Sequence, residues 1–154
     1  MNDEKKIITK NRKARHDYYI LESLEAGIVL VGSEVKSLRE GRANLKDAYA
    51  VIREGEVFLI GMHIGPYSHT GYAQHEPYRD RKLLLNRQEI KRLSRKVTIK
   101  GNTLVPLSVY LKGGLAKVEL AVAKGKRTFD KKDAIAERDH KRAMAKELQR
   151  RKIL

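Results

Sequence analysis

The chain has 154 residues, a length typical of one domain. Its 34 lysine and arginine residues outnumber 19 aspartate and glutamate residues, giving a formal net charge of +15, which attracts polyanions. There is no cysteine, no apolar run of the roughly 20 residues that cross a bilayer, and no apolar stretch of a secretory signal near the N-terminus. We therefore expect a soluble, cytoplasmic protein that binds an acidic partner.

The first predicted elements are two strands and a short helix. Residues 18–25 are rich in aromatic and apolar side chains, and residues 28–31 form a continuous apolar run. Ser33 is a suitable N-cap for a helix that continues to Leu38 and ends before Gly41. This order predicts strands followed by an inserted helix.

A predicted hairpin and a long loop come next. Residues 48–64 contain two apolar segments on either side of Glu54-Gly55-Glu56, which is typical of a hairpin turn. In the second segment we expect four side chains to share one face, because alternate residues of a strand lie on the same side. These are Phe58, Ile60, Met62 and Ile64. Residues 65–81 match neither period and predict a long loop.

The second predicted helix has stronger start signals. Asn86 is a good N-cap, and Glu89 lies at the third helical position, where its carboxylate can reach back to the cap. Leu85 and Ile90 have the spacing of a hydrophobic staple. The predicted buried stripe consists of Ile90, Leu93 and Val97.

The last predicted hairpin completes the fold. Its alternating apolar residues are Val105, Leu107, Val109 and Leu111 before Gly113-Gly114, and Ala116, Val118, Leu120 and Val122 after it. Lys117 and Glu119 lie on the other side, so we expect one face in the core and one in solvent. About six such strands predict a mainly β fold, an OB-fold-like closed barrel with inserted helices that spans residues 1–123.

Residues 124–154 are predicted to be a basic tail. They contain 12 basic and 5 acidic residues, a local net charge of +7 (12 − 5), with few apolar side chains to bury. Such a segment does not fold alone. Its local signals nevertheless favour a helix, with Asp130 as a cap and Glu137 and Lys141 as an i,i+4 pair. We predict a tail that is disordered or conditionally helical.

The residues do not assemble a catalytic or metal site. His63, His69 and His75 are spaced six apart, which fits no zinc signature. Gly125-Lys126 is followed by Arg127, not by the Ser or Thr of a phosphate loop. We interpret the histidines as surface groups or groups that face RNA, and we predict no enzyme activity, cofactor, metal or small-molecule substrate.

Clustered cations and tyrosines indicate RNA. Residues 11–16 are basic and precede the first aromatic strand, and Arg79, Arg81 and Lys82 form a second cluster. The tyrosines that can stack on unpaired bases are Tyr18, Tyr19, Tyr67, Tyr72 and Tyr78. No capped helix with a basic face for a major groove is evident. A folded RNA with exposed loops therefore fits better than duplex DNA.

Several long stretches resemble the SsrA-binding protein family. They are "NRKARHDYYILESLEAGIVLVGSEVKSLREGRANLKDAY", "RKLLLNRQEI", "LVPLSVYLKGGLAKVELAVAKGK" and "FDKK", and they occur in order between Asn11 and Lys132. The resemblance implies an OB-type barrel that binds the tRNA-like part of transfer-messenger RNA. It also implies delivery of that RNA to a stalled ribosome for trans-translation, with the tail in the empty mRNA path at the decoding centre of the small subunit.

The resemblance places RNA-binding positions at Asn11, Glu25 and Leu84. Glu25 would orient basic side chains or accept from a base amino group, and for Leu84 a core position is an equal alternative. With the basic clusters, the predicted RNA contacts are Asn11, Arg12, Lys13, Arg15, His16, Tyr18, Glu25, Lys36, Arg39, Arg81, Lys82, Leu84 and Lys124. The predicted ribosome contacts of the tail are Gly125, Lys126, Phe129, Asp130, Lys131, Lys132, Arg138, Lys141 and Arg142.

Two residues depart from the family pattern. Phe129 stands where many members have histidine or tyrosine, which removes a hydrogen bond but keeps an aromatic ring. Lys132 replaces an arginine and lacks the planar fork that binds phosphate through two nitrogens. The alternative function is that of a general RNA chaperone or ribosome-associated RNA-binding protein, which would bind many RNAs with similar affinity.

Overall fold

The computed structural model of the protein describes residues 4–69 and 74–126, which form nine strands and three helices. The strands are β1 (Lys5–Lys10), β2 (Tyr18–Ile28), β3 (Ala43–Asn44), β4 (Tyr49–Arg53), β5 (Glu56–Ile60), β6 (His63–Ile64), β7 (Arg81–Leu84), β8 (Asn102–Lys112) and β9 (Leu115–Gly125). The helices are α1 (Arg12–Asp17), α2 (Gly32–Arg39) and α3 (Arg87–Val97). None of these three helices is long and apolar enough to cross a membrane.

Six antiparallel strands form a ring. Their order is β8–β4–β5–β7–β2–β9, and the pairing of β9 with β8 returns to the first strand. The join between β4 and β8 is narrow, with Ala50 opposite Leu104. β1 adds to the sheet by pairing with β8, and β3 pairs separately with β6. The prediction of a mainly β fold with inserted helices is confirmed.

Two predicted hairpin turns are also confirmed. Glu54-Gly55 joins β4 to β5 with φ angles of 50° and 76°, and Gly113-Gly114 joins β8 to β9 with φ angles of 59° and 79°. Positive φ at both central residues is the type I′ conformation, whose twist matches that of the flanking strands. These turns fix the register of both hairpins.

Phe58 and Ile60 do not share a face with Met62 and Ile64. Val57 and Leu59 are fully buried, so Phe58 and Ile60 lie on the outer side. Gly61, with a φ of 81°, follows the strand and breaks its alternation. The core residues beyond this break are Met62 and Ile64. The prediction of one shared face is wrong because the period of two does not continue through Gly61.

The first predicted helix exists, but Ser33 does not cap it. Val31 occupies the N-cap position, and its backbone N–H donates to Oε1 of Glu34 at 2.9 Å. Ser33 lies within α2, where its hydroxyl is 2.8 Å from Nδ1 of His75. Gly41, with a φ of 77°, follows the end of the helix as predicted. A glutamate one turn inside the helix thus replaces the predicted serine.

The start of α3 is confirmed in detail. The Asn86 side chain accepts from the N–H of Glu89 at 2.8 Å, and the Glu89 carboxylate accepts from the N–H of Asn86 at 3.0 Å. Leu93 is buried in the main core inside the ring, and Leu85 and Ile90 pack against the same core. α3 therefore covers part of the ring interior with its apolar side.

A second, smaller core lies beneath α1 on the outer side of the sheet. Its buried members are Ala14, Val105, Leu107, Ala121 and Ala123, with Tyr18 and Ile20 packed against them. The sequence predicted Val105 and Leu107 on the same core face as Val109 and Leu111, with solvent on the other side of the hairpin. Both expectations are wrong near α1, because β8 shifts register between Pro106 and Ser108 and the helix excludes water from the outer side there.

β9 continues past Val122, where the apolar pattern predicted the last strand to stop. Its pairing with β2 reaches Gly125, and the N–H of Lys126 donates to the carbonyl of Asp17 at 2.6 Å. The predicted boundary at residue 123 therefore falls inside a strand. Apolar periodicity ends where burial ends, whereas backbone hydrogen bonds continue through polar residues.

A buried ion pair joins α2 to β7. Glu34 and Arg81 are both fully buried, and Nε of Arg81 donates to Oε2 of Glu34 at 2.7 Å. The same guanidinium donates to the carbonyl oxygens of Met62 at 2.7 Å and Pro77 at 3.1 Å. Nη2 of Arg79 donates to the other Glu34 oxygen at 2.6 Å. The two charges are therefore paired and hydrogen-bonded, as buried charges must be.

The pKa of Glu34 lies below its ordinary value. Burial alone raises this pKa, but the hydrogen bonds from Arg79 and the Val31 N–H, together with the charge of Arg81, lower it further than burial raises it. Glu34 therefore stabilises the fold above the unfolded-state pKa of about 4.5, and this contribution is lost as the pH falls through the lower folded-state pKa.

We expect Glu34→Gln to lower the free energy of unfolding by about 3–5 kcal/mol, because it leaves Arg81 charged, buried and without its partner. Urea denaturation followed by circular dichroism measures this change. Glu56→Gln, which removes the exposed partner of Lys82, is the matched control and should cost about 1 kcal/mol or less. Equal losses would show that the buried pair contributes no more than a surface pair.

Candidate nucleic-acid interface

The outer side of β8, β9 and β2 is covered by α1 at one end and is polar at the other. Strand alternation brings these polar positions together next to the second core. They are Ser108, Tyr110 and Lys112 from β8, Lys117 and Glu119 from β9, and Ser23, Glu25 and Gly27 from β2. We call these eight residues the polar sheet face.

Glu25 is a fixed acceptor on this face. Its Oε1 accepts from the Tyr110 hydroxyl at 2.6 Å, and Nζ of Lys112 is 3.5 Å from the same oxygen. Tyr110 is itself buried, with Nζ of Lys5 lying 4.2 Å from its ring centroid. The Tyr110 hydrogen bond is the main cause that lowers the pKa of Glu25, and burial together with this bond raises the pKa of Tyr110. Glu25 therefore stays ionised on the surface of a basic protein.

A second carboxylate lies beside the first. Glu119 is directly opposite Glu25 in the register of β2 and β9. Its oxygens accept from the hydroxyls of Ser23 at 3.1 Å and Ser108 at 3.5 Å. Nη2 of Arg15 is 3.6 Å from Glu119. Arg15 belongs to α1, so this ion pair connects the cations of α1 to the polar sheet face.

Leu84 forms an apolar edge of the face. It is opposite Gly27 in the β2–β7 pairing and is 53% exposed. A Cβ at Gly27 would lie 3.3 Å from Cβ of Leu84, so Leu84 covers the glycine. Of the two interpretations of Leu84 left open by the sequence, the structure favours the surface position. Lys82 lies on the same side of β7 and forms an ion pair with Glu56.

α1 presents most of its predicted contacts to solvent. These are Arg12, Lys13, Arg15 and His16. Lys13 forms an ion pair with Asp47 at 2.7 Å, and Nδ1 of His16 is 3.0 Å from Oδ1 of Asp17. Arg12, Lys13 and Arg15 are always cationic, and of these Arg15 reaches Glu119 on the polar sheet face.

Three other predicted RNA contacts have structural roles. Asn11 is buried at the N-cap of α1, where Oδ1 accepts from the N–H of Ala14 at 3.0 Å and Nδ2 donates to the carbonyl of Pro106 at 2.9 Å. Arg81 is buried with Glu34, and Tyr18 packs against the second core. Because their polar or aromatic groups are used within the fold, we leave these three residues out of the interface.

The remaining candidates lie on other elements. Lys36 and Arg39 are on α2, with Nζ of Lys36 located 5.9 Å from the ring centroid of Tyr67. The end of β9 and the residue after it place three candidates next to α1: Lys124, Gly125 and Lys126. Tyr72 lies outside the described residues. The other predicted tail contacts also lie outside them: Phe129, Asp130, Lys131, Lys132, Arg138, Lys141 and Arg142.

Two of the histidines, His63 in β6 and His75 in the long loop, contact neighbours within the protein. His63 lies against Tyr78, with ring centroids 4.9 Å apart, and Nε2 of His75 is 2.9 Å from the carbonyl oxygen of Ile64. In the described part of the chain, no group of three or more histidine, aspartate and glutamate side chains is placed to hold a metal ion.

The surface combines exposed cations, fixed hydrogen-bond acceptors and an exposed apolar residue. This combination is typical of RNA-binding proteins, in which cations bind phosphates and acceptors bind base edges.

The family model described as SmpB protein matches residues 8–150. An SsrA-binding protein of Syntrophobacter fumaroxidans is 54% identical over 97% of this chain and 93% of its own length. One from Symbiobacterium thermophilum is 58% identical over 94% of this chain and 92% of its own length. The chain belongs to the SmpB family.

A solved structure gives the same result. It is described as "tmRNA-SmpB: a journey to the center of the bacterial ribosome", and its matching chain is 49% identical with a TM-score of 0.68. The match covers 82% of this chain and 93% of that chain. The resemblance inferred from the sequence motifs is thereby confirmed.

Sequence reasoning missed Tyr110, Lys112 and Glu119 as parts of the site. A signal for them existed, since they alternate with the apolar residues of the last hairpin and therefore lie on its outer side. What the pattern lacked was the partner, because Glu25 is 85 residues away from Tyr110 in the chain.

We expect Tyr110→Phe to raise the pKa of Glu25 toward its ordinary value, because the Tyr110 hydrogen bond is the main cause of its lowering. Carbon-13 NMR titration of the glutamate carboxyl groups measures this pKa directly. Ser23→Ala removes a donor to Glu119 alone and should leave the Glu25 titration unchanged. An unaltered Glu25 curve in Tyr110→Phe would assign the lowering to the lysines.

Proposed function

We propose that this chain binds the tRNA-like part of transfer-messenger RNA and delivers it to stalled ribosomes for trans-translation. The observation that carries the proposal is the similarity, at 49% identity, to a chain described in a tmRNA–SmpB structure of the bacterial ribosome. The family membership and the net charge of +15 support it. The protein acts in the cytoplasm by binding, without a chemical step of its own.

The ring of six strands serves as an OB-type barrel in this proposal. OB-fold barrels commonly bind single-stranded or irregular nucleic acid on a sheet face flanked by loops. Here the long β8–β9 hairpin and β2 provide the sheet, and α1 covers part of its outer side. The part that α1 does not cover is the polar sheet face, which combines carboxylates, lysines and hydroxyl groups.

The proposed interface contains two kinds of contact, with phosphates and with bases. Arg12, Arg15 and the neighbouring Lys13 bind phosphates, which gives affinity without sequence information. Glu25 has one oxygen engaged by Tyr110, and its side chain is exposed, so it accepts hydrogen bonds from the amino group of an unpaired base. Leu84 provides an apolar surface for a base at the edge of the face. An acidic group surrounded by lysines is thus consistent with base reading.

The C-terminal segment contacts the ribosome in this proposal. Because β9 pairs with β2 up to Gly125 and Lys126 bonds to Asp17, we place the start of the segment after Lys126, three residues beyond the predicted boundary. The segment follows the empty mRNA path toward the decoding centre, with Phe129, Lys131 and Lys132 as early rRNA contacts. Its excess of basic residues supports binding to rRNA.

We expect Arg12→Glu combined with Arg15→Glu to weaken binding to the tRNA-like domain and to flatten its salt dependence. The slope of log K against log salt should fall by about 0.7–0.9 for each phosphate that the variant no longer neutralises. Filter binding measures this slope over salt concentrations of about 50 to 200 mM. Lys46→Glu with Arg53→Glu changes the net charge equally, at exposed sites outside the interface. Equal weakening by both pairs would contradict the proposed site.

Competition by unrelated structured RNA separates the proposed function from that of a general RNA chaperone. A tmRNA-specific protein keeps its bound RNA in the presence of excess competitor, whereas a general chaperone exchanges it. Exchange by the wild-type protein would overturn the proposed function.

We expect a chain that ends after Lys126 to keep its melting temperature and most of its affinity for the tRNA-like domain, but to fail in peptide tagging on stalled ribosomes. The fold should persist because every pairing of β9 is retained. A reconstituted translation system measures tagging, and a chain ending at Val122, which lacks the last pairs of β9, is the structural comparison. Normal tagging by the chain that ends after Lys126 would remove the segment from the mechanism.

A further inference from the structure

The exposed side of α3 carries a row of cations that the proposed interface does not use. Arg87, Lys91 and Arg95 follow one another at steps of four residues, and all three are exposed. The sequence predicted no capped helix with a basic face for a major groove. α3 nevertheless has a complete cap and turns a cationic side away from the core that Leu93 enters.

The neighbouring row on the same helix is ion-paired within the fold. Nη2 of Arg92 is 2.9 Å from Oε1 of Glu22, and Nζ of Lys96 is 3.6 Å from Oε2 of the same residue. The single acidic residue of α3, Glu89, is engaged at the cap by the N–H of Asn86. In residues 4–69 and 74–126, no carboxylate forms an ion pair with a member of the first row.

Two effects make this row of cations unfavourable for the stability of α3. Like charges four residues apart repel each other along the helix surface. Arg87 is also the first residue of α3, where the positive end of the helix dipole disfavours a cation. A bound anion would relieve both effects, because it screens the repulsion and is attracted to the helix start.

The spacing of the row specifies the kind of anion. Four residues advance about 6 Å along a helix, so the three side chains extend over about 12 Å. The step of about 6 Å between neighbouring side chains is close to the separation of neighbouring phosphates on one strand of a nucleic acid. Two of the three side chains are arginines, whose planar fork binds phosphate oxygens in pairs. Lys100, also exposed, lies just beyond the end of the helix and extends the basic surface.

We propose that Arg87, Lys91 and Arg95 form a second RNA-binding surface, which holds the sugar–phosphate backbone of an RNA segment different from the one on the polar sheet face. The assignment of the RNA to transfer-messenger or ribosomal RNA rests on the proposed function. The separation of the two surfaces follows from the fold, because α3 packs on the main core while α1 covers the second core. Phosphate contacts give this surface affinity without sequence preference.

The test is the triple variant Arg87→Gln, Lys91→Gln and Arg95→Gln in the full chain. Glutamine has nearly the helix propensity of arginine and lysine, so the helix itself is preserved. We expect a melting temperature equal to or above that of the wild type, since the repulsion is removed. The matched control is Lys6→Gln, Lys46→Gln and Arg53→Gln, which changes the net charge equally at exposed positions.

Three binding measurements identify the source of the RNA. A short RNA duplex of arbitrary sequence tests the surface itself, and the salt slope should fall by about 0.7–0.9 for each phosphate that is no longer neutralised. The isolated tRNA-like domain and, separately, binding of the preformed protein–tmRNA complex to stalled ribosomes distinguish the two RNAs. Weaker binding to the tRNA-like domain assigns the surface to transfer-messenger RNA, and weaker binding confined to the ribosome assigns it to ribosomal RNA.

A triple variant that matches the control triple in all three measurements would overturn the proposal, as would a marked fall in melting temperature. Measurements on the wild-type protein distinguish failure of this proposal from failure of the proposed function. If the wild type does not prefer transfer-messenger RNA, the proposed function fails, and the duplex measurement still decides whether α3 binds RNA.

Discussion

The buried pair of Glu34 and Arg81 is the interaction on which the arrangement of the helices and loops around the ring depends. It connects the first turn of α2 with the first residue of β7, and Arg81 also binds the carbonyl groups that precede β6 and lie in the long loop. Two full charges without water are tolerated because each oxygen and most guanidinium N–H groups have partners. α2, the loop and β7 therefore keep their positions as a unit, and β7 in turn places Leu84 beside β2.

The outer side of the sheet shows how one surface serves two purposes. At one end, α1 lies on small residues such as Ala121 and Ala123, which permit close approach of the helix. At the other end, Glu25 and Glu119 are held by hydroxyl groups of the sheet itself. Since the strands are long and paired over most of their length, both acceptors are fixed before any partner binds, and little conformational entropy remains to be lost on binding.

Local signals in the sequence predicted local structure well, and long-range partners could not be predicted. The cap of α3 depends on Asn86 and Glu89, and the last turn on two glycines, so each is specified by adjacent residues. The ion pair of Glu34 joins residues 47 apart, and nothing in the sequence near Arg81 indicates that it is buried. Likewise α1 is short and highly charged, so its pattern indicated a solvated basic segment, and only packing on the second core shows it to be a helix. The family resemblance placed Asn11 among the RNA contacts, and its burial could not be predicted because the two carbonyl groups that its amide binds lie far along the chain.

The hydrogen bond between Lys126 and Asp17 has a geometric consequence for the whole molecule. Asp17 is the last residue of α1, so the last described residue of the chain is attached to the helix that carries Arg12 and Arg15. The cation of Lys126 lies 5.1 Å from the ring centroid of Tyr19, which adds a second attachment at the same point. In the proposed function, an RNA held by Arg12 and Arg15 is therefore joined through α1 to Lys126, the last described residue before the C-terminal segment.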